Sequence, residues 1–109
     1  MVTLLKVVPS KNPLKKLDAY FILDNGKEKI VSFGQRGARD FTLINDKNSK
    51  FYLPKVLDRN VTKDSYLRRH RARENWYNPL TAGSLSKWIL WSGKTLDGSI
   101  KAFKKKFKL

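Results

Sequence analysis

The Asp24-Asn25-Gly26 step between two β-rich runs is the strongest local constraint on the fold of this chain. Residues 19–23 (AYFIL) and 28–33 (EKIVSF) are rich in β-branched and aromatic residues. Asn and Gly tolerate the positive φ angles that a tight hairpin turn requires. The pattern therefore predicts an antiparallel β-hairpin at this point.

Two further short strands are predicted on either side of the hairpin. Residues 2–8 (VTLLKVV) are apolar and β-branched and end at Pro9. Residues 41–44 (FTLI) are interpreted as one more short strand. Residues 10–18 are polar and contain a proline, so we expect a loop there. Residues 45–50 (NDKNSK) are predicted to form a turn-rich basic loop, and in residues 51–60 Leu53 is expected to be extended before Pro54, while KVLD (55–58) fits either a helical turn or a short strand.

Helix signals begin in the second half of the chain. Thr62 is predicted to cap a first helix that runs to about Trp76. Thr81 is predicted to cap a second helix that stops at Gly93. Thr95 is predicted to cap a third helix, which carries an apolar stripe.

These signals predict an α+β fold. The expected architecture is an N-terminal antiparallel hairpin or small sheet packed by two or three C-terminal helices. At 109 residues the chain is expected to form a single domain, residues 1–109, with a β-rich part (1–60) and a basic helical part (61–109).

The apolar faces of the helices supply the predicted core. Two of the three tryptophans fall on these faces, whereas Trp91 is turned away from Trp88 and is interpreted as a surface residue. The predicted core residues are Trp76, Leu85, Trp88, Ile89, Ile100 and Phe103.

The last helix permits two interpretations. An apolar stripe with lysines on the other faces is typical of a helix that lies on a membrane surface. A helix that docks onto a small domain has the same pattern, and we prefer docking because the stripe is narrow. The lysines on the other faces include Lys101, Lys104, Lys105 and Lys106.

Charge is the outlying property of the composition. The chain has 24 Lys and Arg against 9 Asp and Glu, a net charge of +15. An excess of this size favours an acidic polymer, an anionic membrane or an acidic protein surface as partner, although basicity also serves solubility. The helical part, residues 61–109, has 12 basic and 3 acidic residues and so carries net +9.

Four arginines concentrate this charge on the first predicted helix. At 100° per residue, Arg68 neighbours Arg71 and Arg69 neighbours Arg73, so the two pairs are expected to flank the helix. Arginine suits bidentate contacts with phosphate or carboxylate. We therefore expect an anionic partner here, the alternative being a solvated helix whose arginines pair with local acids.

A second basic element is GQRG (34–37), with Arg36 inside it and Arg39 just beyond it. Exposed amides in a glycine turn beside two arginines can form an anion cradle. Two glycines in a turn also simply supply positive φ, so both interpretations stay open.

Catalytic groups are scarce. The chain has no cysteine and one histidine, and no nucleophile-elbow motif or close carboxylate pair occurs. His70 and Glu74 lie one helical turn apart and could share a metal ion, but no third ligand is marked by spacing. We predict no enzyme, no cofactor and no metal site.

Residues in two segments resemble a family of small basic proteins of nucleocytoplasmic large DNA viruses, a domain of unknown function. The segment KIVSFGQRGARDFT (29–42) is similar to the family's N-terminal motif. The stretch between Thr42 and Tyr66 departs from it, as does the Lys-rich end. The later residues that carry the resemblance are Tyr66, Arg69-His70, Glu74-Asn75-Trp76, Thr81-Ala82-Gly83, Ser86, Trp88, Leu90-Trp91, Thr95-Leu96, Ser99-Ile100 and Phe107.

The resemblance implies an origin in a large DNA virus, and it implies no activity. Together with the charge it leads us to expect a non-enzymatic virion structural protein, a minor capsid or capsid-associated component, made in the host cytoplasm. Its expected partners are capsid or other virion proteins, with DNA, RNA or an anionic inner membrane as further candidates. No membrane-spanning segment is expected. The alternative is a DNA- or RNA-binding protein of viral genome packaging or expression.

Overall fold

Three antiparallel strands form an N-terminal sheet in the computed structural model, which describes residues 1–109. The strands are β1 (Thr3–Pro9), β2 (Lys15–Ile22) and β3 (Glu28–Gln35), and they lie in the order β1-β2-β3. Helices follow in the rest of the chain. The predicted α+β class is confirmed.

The predicted hairpin is the β2–β3 connection. Leu23 N donates to Lys27 O at 2.9 Å, and Asn25 Oδ1 accepts from Lys27 N at 3.0 Å. Gly26 has a φ of +80°, which a residue with a side chain adopts only with strain. The Asn-Gly step thus fixes the register in which Tyr20 faces Ile30.

The loop predicted over residues 10–18 is too long, because β2 already begins at Lys15. Asp18 explains part of this difference. It is buried within β2 and accepts hydrogen bonds from Ser10 Oγ and Ser32 Oγ, both at 2.6 Å. These hydrogen bonds lower the pKa of the Asp18 carboxyl below its usual value of 3.8. A polar residue in a strand is therefore stabilised here by partners from both neighbouring segments.

Replacing Asp18 with asparagine is expected to lower the free energy of unfolding by about 1–3 kcal/mol at about pH 7. The carboxylate accepts from two hydroxyls and from Lys11 N (3.3 Å), whereas an amide must turn an NH₂ group towards one of these donors. Urea unfolding measures the loss, with Asp64→Asn on the exposed surface as the control.

The same variant has a pH dependence of known sign. Because the folded-state pKa of Asp18 is lowered, its stabilisation is present above pH 3.8 and is lost as the pH falls through the folded-state pKa. In a series from about pH 7 to about pH 2, the difference in unfolding free energy between wild type and Asp18→Asn is therefore expected to stay nearly constant down to about pH 5 and to narrow below about pH 4. A difference that stays constant over this range would contradict the assignment.

Residues 41–44 are not a strand, and this prediction was wrong. Helix α1 (Phe41–Ile44) begins here because Asp40 Oδ1 caps it, accepting from Leu43 N at 3.1 Å. Thr42 Oγ1 also donates to Asp40 Oδ1 (2.5 Å). The capping carboxylate outweighs the β propensity of the Phe-Thr-Leu-Ile sequence.

The first long helix also differs from the prediction. Helix α2 (Val56–His70) begins directly after Pro54 and Lys55 and ends before Trp76. Thr62 lies inside it and donates its hydroxyl to Asp58 O at 2.8 Å, so it is not a cap. The predicted start was wrong because the first turn of this helix has no side-chain cap that a sequence pattern can reveal. The predicted end was also wrong, since the helix stops at His70.

The other two caps are confirmed. Thr81 Oγ1 accepts from Ser84 N (3.2 Å) at the start of helix α3 (Ala82–Leu85). Thr95 Oγ1 accepts from Gly98 N (3.2 Å) at the start of helix α4. Helix α3 continues into a π-helical segment (Ser86–Leu90), and α4 runs over Leu96–Phe107.

Trp91, at the end of the π-helical segment, is buried, although it was predicted at the surface. Trp91 N donates to Ser86 O, five residues back, so the backbone is wound more widely than an α-helix. Trp91 is 6% exposed and stacks on Tyr66, with ring centroids 4.3 Å apart. The spacing argument failed because the periodicity of one helix does not show that Tyr66, on α2, covers the Trp91 ring.

The core joins the sheet to the helices. Of the predicted core residues, Leu85, Ile89 and Phe103 are buried, and Trp88 and Ile100 are half-buried against them. Trp76 is half-buried but lies outside this cluster. The buried hydrophobic residues are Leu4, Ala19, Phe21, Phe33, Phe41, Ile44, Tyr66, Leu85, Ile89, Leu90, Trp91 and Phe103.

The apolar stripe of α4 packs inwards. Phe103 is 1% exposed, and Ile100 and Phe107 pack against the core. The preferred interpretation of this helix as a docked one agrees with these contacts. No helix in the structure is long and apolar enough to cross a membrane.

Candidate anion-binding surface

The C-terminal end of α2 presents the four arginines. The helix ends at His70 and Arg71 caps it, so Arg73 lies in the following turn and not on the helix. The helical spacing on which the predicted pair of Arg69 and Arg73 was based therefore does not extend to Arg73. Arg68, Arg69, Arg71 and Arg73 are all exposed, and none forms an ion pair with a carboxylate. Positive charge is favourable at this end of the helix dipole and stays available to an external anion.

His70 and Glu74 close the turn that follows α2. His70 Nδ1 shares a hydrogen bond with Glu74 Oε1 (2.9 Å), and Trp76 Nε1 donates to Glu74 Oε2 (2.8 Å). The carboxylate also lies against Gly83, where a Cβ atom would come within 2.7 Å of Glu74 Cδ. These contacts give both side chains a structural role. No group of three or more His, Cys, Asp or Glu side chains is arranged to hold a metal ion.

A stack of three rings lies beside this turn. The Tyr66 ring lies between His70, at a centroid distance of 4.2 Å, and Trp91, at 4.3 Å. Burial and the negative charge of Glu74 raise the pKa of Tyr66 to about 12. The phenol therefore stays neutral at about pH 7.

A cleft of about 440 Å³ opens between the end of β3, the C-terminal half of α2 and the α3 region. Lys15, Arg39 and Arg69 line it without an ion-pair partner. Lys16 also lines it but is paired with Asp40 through a contact of 2.6 Å. The rim of the cleft is therefore positive, and it suits an anionic group.

This cleft brings together two distant parts of the chain. Its lining residues fall within residues 29–42 and 66–91, except for Lys15, Lys16 and Thr62. Residues 29–42 are one of the two segments that carry the resemblance described above, and residues 66–91 are part of the other, which extends to Phe107. The sequence marked the segments, but their meeting at one cleft depends on how the helices pack on β3.

Arg36 and Arg39 have different surroundings. Arg36 donates from Nε to Lys15 O (3.1 Å) and from Nη2 to Ser10 O (3.1 Å), so it holds the β1–β2 loop against the end of β3. Arg39 is exposed and lines the cleft. Of the two arginines predicted for an anion cradle, Arg39 is the one whose guanidinium has no internal hydrogen bond.

Lysines and aromatic rings meet on another face, which we call the lysine–tryptophan cluster (Trp76, Tyr77, Lys87, Trp88 and Lys106). Lys87 Nζ lies 3.5 Å from the centroid of the Trp88 ring and 5.0 Å from that of Trp76. Lys106 Nζ lies 4.5 Å from the Trp88 centroid and 5.9 Å from that of Tyr77. Such cation–π contacts hold the ammonium groups over the rings.

The lysines of α4 extend the positive charge of this cluster along the helix. Lys101, Lys105 and Lys106 are exposed and Lys104 is half-buried, while Phe103 faces the core. The spacing of these lysines predicted that they lie on the faces of α4 outside its apolar stripe. It did not predict that Lys106 would meet Trp88, because this contact depends on the packing of α4 against the π-helical segment.

The fold and its surface define a small basic α+β protein with a three-stranded sheet and a helical face rich in unpaired cations. A family described as a family of unknown function (DUF5754) has a model that matches residues 5–52, less than half of the chain. The match covers most of β1, the whole of β2, β3 and α1, and none of residues 66–91, and it assigns no activity. No curated protein and no solved structure matches the chain.

Proposed function

We propose that this chain is a non-enzymatic structural protein of a large DNA virus particle, a minor capsid or capsid-associated component that bridges anionic neighbours. The proposed neighbours are acidic faces of capsid proteins, packaged DNA or an anionic inner membrane. The viral origin rests on the resemblance of residues 29–42 and 66–107. The bridging role rests on the charge that the fold leaves unpaired.

The unpaired charge is the observation that carries the proposal. Of the 24 Lys and Arg side chains, only Lys16 forms an ion pair with a carboxylate. The most enclosed acids serve the fold itself: Asp18 binds two hydroxyls, Asp40 binds Lys16 and caps α1, and Glu74 binds His70. A surface with so few internal counter-charges gains free energy by contact with external anions.

Bridging also needs cations on more than one side of the molecule. The arginines lie at the C-terminal end of α2, the α4 lysines lie along another helix, and Lys27 and Lys29 lie at the β2–β3 turn. These cations belong to three separate elements of a molecule that measures 46 × 27 × 23 Å. This distribution supports contacts with two neighbours at once.

Mass spectrometry of purified particles of the virus that encodes this chain tests the proposal. We expect the protein in the particles, cross-linked through its lysines to acidic segments of capsid proteins or to packaged DNA. We also expect a salt wash of roughly 1 M to release it, because screening at that ionic strength weakens exposed ion pairs. Its absence from purified particles would refute the virion role.

A nucleic-acid-binding role in genome packaging or expression is the second candidate. The exposed arginines at the end of α2 favour it, because they lie close together and none has a carboxylate partner. Arginine binds phosphate through two parallel hydrogen bonds. Binding to duplex DNA that weakens with salt is expected in this case.

A further inference from the structure

The lysine–tryptophan cluster is separate from the cleft and from the arginines at the end of α2. None of its five residues lines the cleft. Lys87 and Lys106 lie over the same Trp88 ring, at 3.5 Å and 4.5 Å from its centroid. The two ammonium nitrogens are thus no more than 8.0 Å apart, the sum of these distances.

No carboxylate accompanies these two cations. Neither Lys87 nor Lys106 forms an ion pair, and Lys63 adds a third positive charge nearby. Burial lowers the pKa of Lys87, and the charges of Lys63 and Lys106 lower it further. An anion bound at either ammonium group would relieve this repulsion. A phosphate group has oxygens that can accept from an ammonium group.

The aromatic residues beside the cations are held in place. Trp88 Nε1 donates to Trp76 O at 2.7 Å, and Ser84 Oγ donates to the same oxygen at 3.0 Å. This fixes the turn that carries Tyr77, which is 77% exposed. The exposed phenol ring next to Lys106 is a surface on which a flat apolar group can stack.

We propose that the lysine–tryptophan cluster binds single-stranded nucleic acid, with Lys87 and Lys106 on phosphates and Tyr77 stacked on a base. Unstacked bases are needed for this contact, and a duplex does not offer them. An acidic protein segment would use the lysines but not the exposed ring. A bilayer is a poorer fit because the apolar stripe of α4 is already packed inwards. The inference rests on the proposed function, with nucleic acid as one of the anionic neighbours.

Tryptophan fluorescence of the full-length protein tests the proposal, titrated with an oligothymidine of about 12 nucleotides and with a duplex of equal length. We expect quenching and tighter binding of the single strand. The double variant Lys87→Gln/Lys106→Gln is expected to weaken single-strand binding about tenfold or more. The charge-matched control Lys47→Gln/Lys50→Gln, in an exposed loop, is expected to weaken it less than about threefold.

A third variant separates stacking from charge. Tyr77→Ala is expected to weaken oligothymidine binding about fivefold or more while leaving inorganic polyphosphate binding unchanged, since polyphosphate has no base. Tyr77 is exposed, so this variant keeps the test decisive if the lysine variant does not fold. Circular dichroism establishes the fold of each protein.

The outcomes separate the two proposals. Equal losses in the cluster and control variants, no effect of Tyr77→Ala, or preferred binding to phosphatidylserine vesicles would overturn the cluster as a single-strand site. Binding of heparin and duplex DNA would still support anion bridging in those cases. A wild-type protein that binds neither oligothymidine, duplex, heparin nor anionic vesicles would overturn both.

Discussion

Replacement of Phe103 by alanine is expected to lower the free energy of unfolding by about 3–5 kcal/mol, the largest stability effect we expect in this chain. Phe103 is 1% exposed and contacts Phe107, with ring centroids 5.1 Å apart. The variant loses the transfer free energy of the ring and leaves a cavity between α4 and the core. The total free energy of unfolding of a small domain is about 5–15 kcal/mol, so the expected loss is a large fraction of the stability.

Urea or guanidinium unfolding measures this loss, with Leu96→Ala as the matched control. Leu96 lies on the same helix but is 37% exposed, and its replacement is expected to cost less than about 1.5 kcal/mol. If Phe103→Ala does not fold, Phe103→Leu gives a smaller loss that is still measurable. Equal losses for Phe103→Ala and Leu96→Ala would show that the stripe is not packed as described.

The Phe103 result also separates the two interpretations of α4. A helix whose apolar stripe binds a membrane surface would contribute little to the free energy of unfolding in water. A docked helix contributes its buried stripe to the stability of the domain. A large loss for Phe103→Ala therefore supports an internal role for the stripe and leaves only the lysine faces for partners.

The elements that the sequence predicted well are those determined by a few neighbouring residues. The hairpin follows from Asn25-Gly26, whose conformational preference is local. The caps at Thr81 and Thr95 follow from hydroxyls that accept from amides three residues on. In each case the interacting groups are adjacent in the chain, so that pattern and structure coincide.

The elements that the sequence missed depend on distant residues or on an unmarked irregularity. Helix α2 starts at Val56 without a side-chain cap, and Thr62 has the residue type of a cap but lies within the helix. Trp91 is buried against Tyr66 of α2, a contact between distant segments that no apolar spacing indicated. The burial of Asp18 within β2 depends on hydrogen bonds that Ser10 and Ser32 donate from neighbouring segments.

The sequence predicted the positive charge of the candidate site but not the arrangement of its side chains. Composition alone indicated an anionic partner, and the arginine cluster was visible by inspection. The cleft and the lysine–tryptophan cluster were not predictable, because each joins residues from elements that are separate in the sequence. Arg36 and Arg39 illustrate why geometry was not predictable. They lie three residues apart, yet Arg36 holds the β1–β2 loop and Arg39 lines the cleft.

Replacing the four arginines at the end of α2 with glutamine is expected to weaken duplex DNA binding by about 10- to 1000-fold at about 0.1 M salt. Each arginine that contacts a phosphate contributes about 0.9 to the slope of log affinity against log salt, so the slope is expected to become less negative by up to about 3.6. Stability should change little, because all four side chains are exposed. Fluorescence anisotropy over a salt series measures both quantities.

The control for this variant removes four charges elsewhere, in Lys27→Gln/Lys29→Gln/Lys47→Gln/Lys50→Gln. These lysines are exposed at the β2–β3 turn and in the loop after α1, so the net charge falls equally. If the two quadruple variants lose the same affinity and slope, DNA responds to net charge alone and the arginine cluster is not a binding site. A larger loss in the arginine variant instead assigns the phosphates to the end of α2, beside the positive rim of the cleft.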